Sequence, residues 1–64
     1  MKHPDITIPM VGEDGNAFAI LGRVNREMRR AGLTAEERAE FTAEATSGDY
    51  DHLLVTVMKW FDVQ

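Results

Sequence analysis

One six-residue segment, GLTAEE at residues 32–37, decides how this chain folds. Gly32 follows a helical apolar pattern and suits the left-handed position just beyond a helix C-terminus. Thr34 and Glu37 have the spacing of a capping box, in which each side chain accepts a hydrogen bond from the other residue's backbone N–H. The segment therefore predicts that one helix ends and the next begins within a few residues.

A first helix is predicted upstream of this segment, from Ala17 to about Ala31, because apolar residues recur there with helical spacing. Asn16 precedes the pattern and is a favourable N-cap residue. Phe18 lies beside the apolar stripe and is expected to broaden it. Gly22, inside the helix, costs ~1 kcal/mol relative to alanine and often marks the close approach of another backbone.

Two further helices are predicted downstream. The second runs from Ala35 to about Thr46, and its apolar content is thin, so that Phe41 is its main anchor. Asp49 is placed to cap a third helix over Tyr50–Trp60.

The third helix is expected to bury one face and expose the other. His52, Thr56 and Lys59 fall on the wetter side in this interpretation. The predicted buried face is formed by Tyr50, Leu53, Leu54, Val57 and Phe61.

The two ends of the chain predict a short sheet. Residues 5–11, DITIPMV, alternate apolar and polar side chains as a half-buried strand does. Pro9 supplies no N–H donor, so this strand should be short or lie at an edge. Phe61 and Val63 would point one way in an extended segment and pair with Ile6 and Ile8. The expected fold is a mainly α, compact three-helix domain over residues 1–64, closed by this two-stranded sheet.

The predicted core contains the large apolar residues that fall on the inward helix faces. These residues are Ile20, Leu21, Val24, Met28, Phe41, Leu53, Leu54, Val57 and Phe61.

Length and composition exclude several classes of protein. Sixty-four residues suit one domain, and the absence of cysteine excludes disulfides, thiolate nucleophiles and sulfur-ligated zinc. No apolar run approaches the ~20 residues that span a bilayer, and residues 1–5 lack the apolar core of a secretory signal. A cytoplasmic protein without a membrane segment is therefore expected, either as a monomer or as a small homo-oligomer.

Charge is segregated between the first two helices. Arginines concentrate in the first helix and glutamates in the second, although the net charge of the chain is −4. At helical spacing Arg23, Arg26 and Arg30 form a row that could contact an acidic protein partner or phosphates. A glutamate-rich helix follows, which is wrong for a recognition helix inserted into DNA. Trp60 and Met58 are expected either to exceed what so small a core encloses, so that Trp60 joins the partner-binding residues, or to cap the core beside the terminal strand.

Two polar turns hold the candidate chemistry, at residues 12–16 and 47–52. Capping accounts for most of them, but Glu13, Asp14, Asp51 and His52 exceed what capping requires and form a possible polar site. Their spacing matches neither a calcium loop nor the histidine pair of a helical zinc protease. Ser47 is the single serine and lies in a helix-ending turn, not in a nucleophile elbow. No catalytic residue, metal ligand or cofactor is predicted.

Two motifs carry a resemblance to a known group of proteins. They are VGEDGNAFAILGRV at residues 11–24 and EATSGDYDHLL at residues 44–54, the second continuing as TVMKW at 56–60. With these motifs the chain resembles small uncharacterised proteins of bacteria and their mobile elements over most of its length. The resemblance implies no activity, cofactor or catalytic residue.

These observations favour a non-enzymatic protein-interaction or regulatory module that binds an unidentified protein partner. The first alternative is nucleic-acid binding through the arginine-rich helix, which the acidic second helix argues against. The second alternative is a metal-dependent site at the acidic turns.

Overall fold

The computed structural model describes residues 2–10, 12 and 15–64. These residues form a short strand, three helices and a second strand, in the order predicted from the sequence. The elements are β1 (His3–Ile8), α1 (Ala17–Arg30), α2 (Ala35–Ala45), α3 (Tyr50–Trp60) and β2 (Phe61–Val63). No helix among the described residues is both long enough and apolar enough to span a bilayer.

The helix ends follow the capping residues. The side chains of Asn16 and Asp49 accept backbone N–H bonds at the starts of α1 and α3. Thr34 and Glu37 form the complete capping box at the start of α2, with N–H···O distances of 3.1 and 3.0 Å. Gly32 has a φ of +88°, a left-handed conformation that glycine adopts without steric cost.

The end of α1 is a Schellman motif. The N–H of Gly32 donates to the carbonyl of Arg29 at 3.1 Å, and the N–H of Leu33 donates to that of Met28 at 3.0 Å. The predicted helix boundaries at residues 30–35 are therefore confirmed.

The predicted sheet is present, and its strands are parallel. His3 pairs with Phe61, Thr7 with Asp62 and Ile8 with Val63, with an irregularity between His3 and Thr7. Parallel strands need a long crossover connection, and here the three helices provide it. The first strand is His3–Ile8, not residues 5–11: it ends before Pro9, and Val11 lies outside the described residues.

An aromatic cluster joins α2 and α3 to the sheet. The ring of Phe41 meets the edge of Trp60 at a centroid distance of 5.4 Å and lies 5.3 Å from Phe61. His3 stacks on Phe61 at 5.8 Å, and Lys2 Nζ lies 4.0 Å above the Trp60 ring. Edge-to-face and stacked aromatic pairs add to the stabilisation that apolar burial provides.

The burial of Trp60 contradicts the prediction that this residue is a partner-binding side chain on the surface. Its side chain is 2% exposed, so in this chain it belongs to the core and is not a spare aromatic residue on the surface. The physical reason is that β2 begins at the next residue, without a loop. The last turn of α3 is therefore held against the sheet, beside Phe41.

The buried stripe of α3 is rotated relative to the prediction. Thr56, expected on the wetter side, is 1% exposed, and its hydroxyl donates to the carbonyl of His52 at 2.8 Å. Tyr50 is 44% exposed, and Leu54 is only partly buried. The observed stripe consists of Leu53, Thr56, Val57 and Trp60, again with helical spacing.

Most of the predicted core is confirmed. Leu21 joins Leu54 as a partly buried neighbour of the core. The buried apolar residues are Ile6, Ile8, Ile20, Val24, Met28, Phe41, Ala45, Leu53, Val57, Trp60 and Phe61.

Candidate functional site

The polar turn between α2 and α3 is built around a histidine that caps α2. Nε2 of His52 lies 2.8 Å from the carbonyl oxygen of Glu44, and Ser47 Oγ donates to the same oxygen at 2.7 Å. This carbonyl belongs to the last turn of α2, where no partner within the helix remains. Gly48 leaves room for the ring, because a Cβ there would lie 2.9 Å from Cβ of His52 and 2.8 Å from its Cγ.

The contact between Ser47 and His52 does not form a nucleophile and base pair. Ser47 Oγ lies 3.1 Å from His52 Nε2, a distance typical of such pairs. However, the carbonyl of Glu44 only accepts hydrogen bonds, so the network assigns the proton to Nε2. A protonated Nε2 cannot take the serine proton, and the arrangement is a helix cap.

The possible polar site of Glu13, Asp14, Asp51 and His52 is only half within the described residues. Glu13 and Asp14 lie outside them. Asp51 is exposed in the first turn of α3, where its charge suits the positive end of the helix. Within the part of the chain that the structure describes, no three acidic or histidine residues are grouped to hold a metal.

The two polar turns do approach each other. The hydroxyl of Tyr50 donates to the carbonyl of Gly15, which joins the start of α3 to the segment before α1. His52 Nε2 nevertheless faces the Glu44 carbonyl, so this nitrogen is used in capping the C-terminal end of α2. The polar site, and a metal bound there, therefore stay predictions.

The predicted arginine row is interrupted. Arg23 is 8% exposed, and its Nη1 donates to the sulfur of Met10 at 3.6 Å. Arg26 and Arg30 are exposed, and both lie near the Glu27 carboxylate, at 3.8 and 3.5 Å. Arg23 therefore packs beside the segment after β1 instead of joining the other two on one exposed surface.

A different set of arginines is brought together. Arg26, Arg29 and Arg30 line a shallow recess of about 340 Å³ at the C-terminal end of α1. Sequence reasoning missed Arg29 because it followed the spacing 23, 26 and 30. The spacing 26, 29 and 30 is also one helical patch and carries the signal that could have found it.

A groove lies between α1 and α2. Its volume is about 720 Å³. Small side chains line most of it, since the exposed side of α2 presents alanines at successive turns. We call it the α1–α2 face, defined by Leu21, Gly22 and Asn25 of α1 with Ala35, Ala39 and Ala43 of α2.

Gly22 does not serve a close approach within this chain, contrary to one interpretation of a mid-helix glycine. A Cβ added there would meet no atom of the described residues within 4 Å, apart from its neighbours and the nearby backbone of its own helix. Arg38 also lines the groove, and its Nε is buried without a hydrogen-bond partner among the described residues. The groove is thus open beside Gly22 on its α1 side. On its α2 side it contains a buried polar atom, Arg38 Nε, that has no hydrogen-bond partner among the described residues.

An exposed phenylalanine stands at one end of the α1–α2 face. Phe18 is 88% exposed, so the expectation that it broadens the buried stripe of α1 is wrong. It lines an apolar recess of about 280 Å³ together with Ala45, Thr46 and Tyr50. Leu21 lines both this recess and the groove, so the two lie next to each other.

Opposite charges flank the other end of the α1–α2 face. Arg29 follows Phe18, Gly22 and Asn25 along the same side of α1, at spacings of four and three residues. Glu36 stands in the first turn of α2, three residues before Ala39. Both are exposed, and neither has an ion-pair partner among the described residues.

Comparison of the chain with protein-family models, with curated proteins and with solved structures finds no match.

Proposed function

We propose that this chain is a non-enzymatic protein-interaction module, and that the α1–α2 face is its docking surface. The observation that carries the proposal is the combination of an 88% exposed Phe18 with an adjacent groove lined mostly by small side chains. An exposed aromatic residue beside an apolar recess is typical of the anchors that dominate protein interfaces. Contiguous apolar surface of this kind on a small protein marks an interaction site.

The polar residues support a non-catalytic role. Ser47, Asp49 and His52 of the second turn all bond to helix termini. Each of them is accounted for by the junction between α2 and α3. The ring of Phe18, by contrast, is 88% exposed.

Position-specific crosslinking tests this proposal. A photoreactive phenylalanine analogue replaces Phe18 in one variant and Met58, which is 53% exposed on α3, in a matched control. The expected result is a crosslinked product at position 18 in the producing cells and little at position 58. Adding Ala39→Lys should abolish the product, since the lysine would occupy the groove. Equal crosslinking at both positions would contradict the proposal.

The recess of Arg26, Arg29 and Arg30 favours a second candidate, nucleic-acid binding. Clustered arginines bind phosphates, and the affinity then falls steeply with salt. Two of the three already lie beside Glu27, and the acidic α2 follows, which weakens this candidate. A mobility shift at low salt that is lost in Arg29→Glu would support it; no shift at low salt would exclude it.

A further inference from the structure

We infer that the α1–α2 face binds a second copy of this chain, forming a twofold dimer in which α1 of each copy lies over α2 of the other. The inference rests on the proposed function, since it names the partner of the same surface. It is carried by the arrangement of charge and shape along the groove, which is complementary to itself.

The orientation of the groove follows from the residues that line it. At one end Gly22 and Asn25 of α1 share it with Ala35 and Ala39 of α2. At the other end Phe18 shares a recess with Ala45 and Thr46. The C-terminal half of α1 therefore faces the N-terminal half of α2, and the two helices run antiparallel along the groove.

A twofold axis parallel to the groove places the α1 side of one copy against the α2 side of the other. It leaves the position of each residue along the groove unchanged. α1 of one copy then meets α2 of the other, as an isologous interface requires. Arg29 and Glu36 lie at the same end of the groove, so each Arg29 meets Glu36 of the second copy. The alternative axis, across the groove, places α1 on α1 with the ends reversed, so that Arg29 meets the Phe18 end of the second copy and no longer pairs with Glu36.

The same axis places the projecting side chain of Phe18 against open space on the second copy. Phe18 lies toward the N-terminal end of α1, so it meets the C-terminal half of α2 in the second copy. There Ala43 and Thr46 are exposed and small. A large aromatic side chain entering a recess of small residues is the usual form of an interface anchor. Two such anchors are formed, one from each copy.

The area available on this side of the molecule is also sufficient for a dimer interface. An interface of ordinary size removes ~600–1,000 Å² from each partner. One face of a molecule measuring 25 × 24 × 19 Å offers an area of that order. The dimer therefore needs the α1–α2 face together with the surface around it, including Phe18 at one end and Arg29 and Glu36 at the other, and a smaller peptide would leave much of this surface uncovered.

Sedimentation equilibrium of the purified chain is the first test. We expect a mass that rises from one copy to two as the concentration increases into the millimolar range. Phe18→Ala should weaken self-association at least tenfold, because both anchors are removed, while the circular dichroism spectrum and the melting temperature stay unchanged. A wild-type chain that remains monomeric throughout this range would overturn the inference.

A charge exchange tests the pairing itself. Arg29→Glu and Glu36→Lys should each weaken self-association about tenfold, because both symmetric contacts become repulsive. Mixing the two variants should restore dimers, all of them containing one copy of each, since both contacts are then attractive. Failure of the mixture to restore dimers would overturn the arrangement of α1 over α2.

Two matched controls separate pairing from effects on the helix ends. Arg30→Glu removes a charge from the same last turn of α1, and Glu40→Lys reverses a charge on α2 that pairs with Lys2. Both should leave the dimer mass unchanged. A monomeric chain whose position 18 crosslinks to a protein of another mass would overturn the dimer while leaving the proposed function intact. No crosslink at position 18 would remove both.

Discussion

The two sides of α2 differ in the size of their side chains, and the difference decides which side is closed. Toward the sheet, Phe41 fills the space beside Trp60 and Phe61 and is 1% exposed. Toward α1, the helix offers alanines, and an open groove remains. Close packing requires side chains large enough to fill the space between elements. The closed side therefore supplies the stability, and the open side is the surface that the proposed function uses.

Some residue types occur both in the closed part of the molecule and beside the open groove. Substituting one residue of each kind in each place compares the two regions directly. The largest expected contrast is between two phenylalanines. Phe41→Ala should lower the free energy of unfolding by ~3–5 kcal/mol, which is most of the stability of a small domain. Phe18→Ala should leave the stability of the monomer unchanged, since its ring is 88% exposed.

Thermal melts followed by circular dichroism measure this first contrast. Phe41→Leu, which keeps part of the apolar volume, provides a folded intermediate case if Phe41→Ala is largely unfolded. Equal melting temperatures for Phe41→Ala and Phe18→Ala would show that the aromatic cluster does not hold the fold together.

A second contrast concerns two glycines. Gly48→Ala should cost ~1–3 kcal/mol, because the new Cβ would overlap His52 and force the cap on α2 to shift. Gly22→Ala should stabilise the monomer by ~1 kcal/mol, because alanine is the better helix former and a Cβ there meets no neighbour. Urea titrations of both variants give the two changes, and changes of the same sign would contradict the comparison.

A third and smaller contrast concerns two threonines. Thr34→Ala should lower the free energy of unfolding by ~1 kcal/mol, because the amide of Glu37 loses its capping partner. Thr42, which lines the open groove, bonds only to the preceding turn of its own helix. Thr42→Ala should therefore leave stability unchanged or raise it slightly. Chemical denaturation at neutral pH distinguishes the two, and an equal loss in both would argue against the capping box.

The smallest expected effect is a dependence on pH from Glu37. The backbone N–H and the side chain of Thr34 lower the pKa of this carboxyl below its ordinary value of 4.5. A carboxyl whose pKa is lower in the folded state stabilises the fold above its ordinary pKa, and this contribution is lost as the pH falls through the folded value. Glu37→Gln should make stability less dependent on pH below about 4.5, measured by urea titration, while Glu36→Gln retains the dependence. An unchanged profile in Glu37→Gln would contradict this assignment.

The helix boundaries were predictable because they depend on local chemistry. Asn16, Thr34 and Asp49 cap helices through bonds to residues three positions away, and such bonds are visible in the sequence. The pairing of the chain ends was also predictable, since Ile6 and Ile8 alternate with polar residues. The features that depend on residues close together in the sequence, namely the helix caps and the alternation along β1, were therefore predicted correctly.

The directions of individual side chains were not predictable in the same way. Trp60 is buried and Phe18 is exposed because the neighbouring elements, and not their own helices, determine where space remains. Arg23 lies beside Met10, a neighbour that comes from the segment after β1. Helical periodicity gives the relative angle of residues on one helix but not which angle faces the core. The α1–α2 face, which depends on two helices together, was missed for the same reason.

The most direct test of the account is a dilution series followed by backbone amide chemical shifts. If the α1–α2 face binds a second copy, the amides of Gly22, Asn25, Ala39 and Ala43 should shift with concentration, while those of Ile8 and Phe61 in the sheet stay constant. Shifts confined to the sheet, or no shifts up to millimolar concentration, would contradict the claim that the α1–α2 face binds a second copy.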